Sequence, residues 1–235
     1  MRKETTVFFA FFPLAAMAQN FQLHYDFGQG RHYVTTTFEM FKPDDWGNTF
    51  FFVDYDFNMD QDRNASLSYM ELARCFSLGK TSPFSVQVEY NGGLFAMEGE
   101  AFPIQHAFLA GLDYGWHNHN FDRFLNFKVL YKNIVGKHPL SFQLTGVWDL
   151  SFYNKRISVC GFADFWREDN LNFTDAAGNN LATPLSTRYV FISEPQFWYN
   201  ITQHLSAGSE IEIAANFSSV YGWKVCPTLG IKWNF

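Results

Sequence analysis

The stretch TFEMFKPDDWGNTFFFVDYDF, residues 37–57, sets charged and polar residues at short intervals inside a run that holds eight aromatic residues. Asp54 and Asp56 interrupt Phe52, Tyr55 and Phe57 with a period of two, the pattern of a strand with one apolar and one polar face. The pattern recurs along the chain in about twelve segments of roughly nine to thirteen residues, separated by Gly, Pro, Asn and Asp. These are 21–28, 31–41, 48–58, 65–76, 83–92, 104–116, 123–133, 139–150, 155–167, 187–199, 205–217 and 223–235. A tilted strand needs about 9–11 residues to cross a bilayer, so each is of crossing length or close to it. No helical period competes over a comparable length. The expected fold is all-β, a transmembrane antiparallel β-barrel of about twelve strands.

The last segment sets the facing. Val225, Leu229, Ile231, Trp233 and Phe235 alternate with Cys226, Thr228, Gly230, Lys232 and Asn234. The apolar set is expected to meet lipid. The same rule turns Phe51, Val53, Tyr55 and Phe57 outward and Asp54 and Asp56 inward, because a carboxylate in hydrocarbon is costly.

Composition agrees. Aromatic residues make up 20% of the chain and 29 are Phe, yet the mean hydropathy is only −0.17. Past the N-terminus no run of about 18 apolar residues occurs, which argues against a spanning helix there. A net charge of −6 leaves no basic stripe for nucleic acid. Cys75, Cys160 and Cys226 cannot all pair internally and match no metal spacing, so they are expected as small packing residues, with no cofactor or metal. The N-terminus reads as a signal peptide over residues 1–18, with basic Arg2 and Lys3, an apolar run from Val7 to Ala16, and Ala16-Met17-Ala18 as the cleavage pattern. The barrel then spans 19–235, in a bacterial outer membrane with its lipid as partner. The connections 93–103 and 168–186 are the longest and fall on the outside, the second being placed to fold over or into the mouth.

FEMFKPDDWGNTFFFVDYDF, followed by MELARCFSLGK and later GFADFWREDNLNFTDAAGNNL, resembles the Tsx-like nucleoside-specific channels. The shorter length and the WNF ending are closer to an uncharacterised branch of bacterial porins. The resemblance implies a monomeric twelve-stranded barrel with a narrow passage for nucleosides. Its acidic–aromatic motifs fall on Glu39, Phe41, Phe50, Phe52, Asp54, Glu71, Phe162 and Trp166, which become candidate solute contacts.

The facing rule also gives the lumen an excess of carboxylates over Lys128, Lys132, Arg156, Arg188 and Lys232. Such a lining disfavours anions and suits cations or neutral polar solutes. Arg156 and Arg188 are expected to pair with Asp164 and Glu194, and Arg188 joins the candidate contacts. Inward aromatics, with Tyr33, Tyr69 and Trp198 beside those above, offer faces for stacking on flat rings or simply fill the barrel.

The functional expectation is passive uptake of small polar solutes, nucleosides among them, and no enzymatic activity. The alternatives are a barrel enzyme of lipase or acyltransferase type, or an occluded structural barrel. His117 and His119 lie too near a turn, without a third ligand, to read as a metal site. His138 near Ser141 is a weak catalytic pair.

Overall fold

A computed structural model describes residues 18–235. The expected signal peptide lies outside the described residues except for Ala18, whose backbone already pairs with Phe41. Fourteen strands follow one another: β1 (Ala18–Asp26), β2 (Val34–Asp44), β3 (Gly47–Phe57), β4 (Leu67–Ser77), β5 (Phe84–Met97), β6 (Glu100–His117) and β7 (Arg123–Ile134). Then come β8 (Ser141–Phe152), β9 (Ile157–Asp175), β10 (Asn180–Ser193), β11 (Gln196–Asn200), β12 (Leu205–Ala215), β13 (Val220–Tyr221) and β14 (Trp223–Asn234).

Each strand from β1 to β9 pairs antiparallel with the next, and β1 closes on β14 through Asn20↔Asn234 to Asp26↔Thr228. β10 and β11 are two halves of one stave between β9 and β12, so the wall is a closed barrel of 12 strands. The break falls at Glu194-Pro195, since proline brings no N–H to the ladder. Closure leaves no backbone edge for hydrocarbon to meet.

Register fixes facing, because directly opposed residues share a face. Phe21, Leu23 and Tyr25 of β1 face out beside Leu229, Ile231 and Trp233 of β14, and all six are exposed. Asn20, Gln22, His24 and Asp26 face in and are buried. The outer face is an apolar, aromatic surface around a polar lining, which puts the chain in a bacterial outer membrane. Connections 45–46, 78–83, 118–122, 153–156 and 201–204 lie at the end that holds the start of β1 and the end of β14, the periplasmic one.

The two long external connections are not loops. β5 runs to Met97 and β6 starts at Glu100, and β9 runs to Asp175 before β10 begins at Asn180. At 19 residues, β9 extends well past the span of a bilayer. Alternation persists in this extension, with Leu171 and Phe173 exposed around fully buried Asn172. The Asn172 amide donates to the Leu185 carbonyl and to Thr187 Oγ1, bonding across the hairpin. The β9–β10 hairpin docks rather than standing free. β13 pairs with Thr174–Asp175, and Gln29 Nε2 donates to the Ala177 carbonyl at 2.7 Å. Its tip therefore reaches the β1–β2 connection, past the ends of β12 and β14.

Candidate lumenal site

The inward candidates fall on neighbouring rows of the wall. Asn20, Glu39, Phe52, Glu71 and Asn91 are opposed in turn across β1 to β5. One step towards the outside lie Gln22, Thr37, Asp54 and Tyr69. Phe41 and Phe50 form the step towards the periplasm. Phe50, Phe52 and Tyr69 make a ladder with ring centroids 6.1 Å apart at each step. Tyr69 Oη donates to Glu71 Oε1 at 2.8 Å, so the ladder ends on a carboxylate.

The lumen is narrow. Across the wall from the ladder, Trp198 is only 1% exposed. Its row reads His24–Gly230–Gly208–Trp198, and the two glycines make the space. A Cβ on Gly208 would lie 2.6 Å from the indole, and one on Gly230 would lie 2.7 Å from His24 Nδ1. The two rings meet edge-on at 5.5 Å, and Lys232 Nζ sits 4.4 Å from the Trp198 centroid. On the β6–β12 side, Leu109, Leu130, Ile134, Trp166, Val190 and Ile192 form an apolar cluster against which Phe162 packs.

Charge is handled differently at two levels. Near the outer mouth, Arg31 from the β1–β2 connection donates two bonds to Glu212, at 2.8 and 2.9 Å, and one to Asp26 at 3.1 Å. Burial opposes the Arg31 charge, but the Glu212 carboxylate outweighs it and keeps the guanidinium firmly protonated. Deeper in, Glu71, Glu89, Asp113 and Asp164 share the lumen with Lys128 and Lys132. None of these six groups takes part in an ion pair within 4.0 Å among the described residues. Lys132 instead donates to Gln143 at 2.7 Å and lies 4.1 Å from the Trp166 centroid.

Several expectations need correction. Arg156 is exposed at the periplasmic turn and donates to Tyr199 Oη on the outer face, so it does not meet Asp164 or Glu194. Arg188 is exposed beside a register shift between Thr187 and Tyr189 and is likewise absent from their ion pairs. Trp166 faces inward, but it is buried, its Nε1 donates to Glu168 and Lys132 covers its ring. Its ring is thus taken up by these contacts. His138 Nδ1 accepts from the Leu140 N–H while Ser141 Oγ bonds the Arg167 carbonyl, so that pair does not form a dyad. His117 stacks on Phe121 at 4.2 Å. Arg31, the best-anchored base of the lumen, escaped the strand pattern because it lies in a connection.

A closed twelve-stranded barrel with an apolar outer wall and an acidic lining has the architecture of outer-membrane porins. The NanC porin in a rhombohedral crystal form superposes with a TM-score of 0.57 at 9% identity, over 93% of this chain and 100% of that one. The KdgM porin in complex with disordered oligogalacturonate gives 0.50 at 10% identity, over 93% and 99%. No curated protein matches the chain. The chain belongs to the family described as Domain of unknown function (DUF5020), whose model matches residues 18–235.

Proposed function

We propose that the protein is a passive outer-membrane channel for small polar solutes, neutral or cationic, working as a single barrel. One observation carries this reading: rows of inward carboxylates and amides run along an aromatic ladder from Phe50 through Phe52 to Tyr69. Weak stacking steps beside hydrogen-bonding groups hold a solute and still let it leave. The porin-like architecture supports the same reading.

The substrate proposed within that class is a nucleoside. The resemblance to nucleoside-specific channels supports it, as does the ladder of Phe50, Phe52 and Tyr69 beside Glu39, Asp54 and Glu71. Phe41 lines the periplasmic approach, while Phe162, Trp166 and Arg188 are assigned to shaping the wall rather than to solute contact. Uptake into liposomes carrying the protein, comparing nucleosides with free bases, sugars and nucleotides, tests this. Nucleoside preference weakened several-fold by Phe52→Ala is expected. Flux that follows size alone and ignores that change would leave a general small-solute channel, and absence of flux would leave an occluded barrel.

A further inference from the structure

Four buried side-chain atoms lack a hydrogen-bond partner among the described residues, and all four are acceptor oxygens: Glu89 Oε1, Asn91 Oδ1, Asp164 Oδ1 and Asn172 Oδ1. Asn172 belongs to the external hairpin. The other three surround the unpaired charges of the mid-lumen. Asn91 Nδ2 donates to Glu71 Oε1 at 3.0 Å, which fixes the amide while its own oxygen stays free. Glu89 is held through its other oxygen by Gln87 at 2.6 Å. Glu89 shares a row with Leu109 and Lys132, and Lys132 Nζ reaches the Trp166 ring, two residues from Asp164 on the same face of β9. The four carboxylates and two lysines leave a net charge of −2 if all are ionised.

Buried polar atoms are almost always satisfied, so three free acceptors in one place mark a missing donor. Asn91 and Asp164 are only 4% and 8% exposed, too enclosed for bulk solvent to be the whole answer. Neither lysine supplies the donor: Lys132 is turned to Gln143 and Trp166, and Lys128 forms no ion pair among the described residues. The missing group must be small, rich in N–H and positively charged.

We infer that Glu71, Glu89, Asn91 and Asp164 form a subsite for the ammonium or guanidinium group of a small organic cation. The site rests on the channel reading only in that a solute must be able to reach it. A guanidinium offers five N–H donors in a planar fork and bonds carboxylates in pairs. The Phe52–Tyr69 ladder leads to Glu71 and gives the rest of such a solute an aromatic surface.

Titration calorimetry on the folded barrel in detergent tests this with n-butylguanidinium against neutral n-butylurea. The guanidinium should bind at least ten times more tightly than the urea. Asp164→Asn or Glu89→Gln should abolish most of that difference, with folding checked by heat-modifiable migration. Lys132→Gln removes the competing ammonium and should strengthen guanidinium binding several-fold, the opposite sign. If neither probe binds, the oxygens meet only water and the inference fails. It fails equally if the urea matches the guanidinium, or if Asp164→Asn and Glu89→Gln bind as the parent does. The same protein in planar bilayers separates the two readings. Binding without conductance would end the channel reading and keep the subsite, and conductance without binding would do the reverse.

Discussion

The outer mouth and the mid-lumen are built from the same residue types on the same alternating strands, yet one is neutralised by contact and the other is not. At the mouth, Arg31 arrives from a connection and can aim its fork at both Glu212 and Asp26. In the mid-lumen the bases are Lys128 and Lys132, both fixed on β7, and Lys132 ends on Gln143 and the Trp166 ring. From its connection Arg31 meets one carboxylate on β1 and one on β12, the two strands that flank β14, whereas Lys132 meets an amide and an indole. The difference teaches which charges are structural and which are left for a visitor.

The largest expected effect breaks the mouth. Arg31→Ala strips the partner from two buried carboxylates and should cost about 3–5 kcal/mol in urea-induced unfolding. A loss under about 1 kcal/mol would mean that the mouth is as loosely neutralised as the mid-lumen, and the contrast would vanish. Next comes facing, on which the contrast depends. Val129 points outward and is 54% exposed, so Val129→Arg near the midplane should cost about 2–4 kcal/mol. Lys128→Gln, one residue earlier and inward, should cost much less, since Lys128 has no ion pair among the described residues. Equal damage at both would signal a slip of one residue, which exchanges the faces.

Asp164→Asn sharpens the comparison from the other side. It removes a charge that has no ion pair among the described residues and should shift stability by no more than about 1 kcal/mol, in contrast to Arg31→Ala. The smallest effect lies at the rim. Asp62, in the β3–β4 connection, accepts from the Asn64 and Gly99 N–H groups, each at 2.8 Å. These backbone bonds hold its carboxyl below the ordinary range, so the charged form is favoured in the fold. Its contribution is present above the unfolded value of about 4 and is lost as pH falls through the lower folded value. Amide exchange at Gly99 should speed up selectively in that acid window. Unchanged exchange would mean that the rim contact is held by something other than this carboxylate.

Facing and strand number were legible because lipid and lumen impose a strict period of two. The inward facing of Glu39, Phe52, Asp54, Tyr69 and Glu71 follows from that period, whereas which of them oppose one another is set by the turns between the strands. The hairpin 168–186 was not legible as strand because Asn, Asp and Gly usually punctuate chains, whereas here Asn172 bonds across the hairpin. The break at Pro195 was visible as a residue but not as a division of the stave. Charge partners were the least legible. Arg156 and Arg188 sit on or beside strands of the correct parity, yet turn geometry and a register shift take them elsewhere. Arg31 shows the converse, since no pattern marks which loop residue will fold inward.

Reversal potential in planar bilayers under a KCl gradient tests most directly whether the unpaired carboxylates govern a passage. A lumen with four inward carboxylates against two lysines at mid-height should pass potassium in preference to chloride. Neutralising Glu71 and Asp164 together with Gln and Asn should move the potential towards zero while the barrel stays folded. Anion preference in the parent protein, or a potential that ignores both substitutions, would contradict the assignment of these side chains to a conducting lumen.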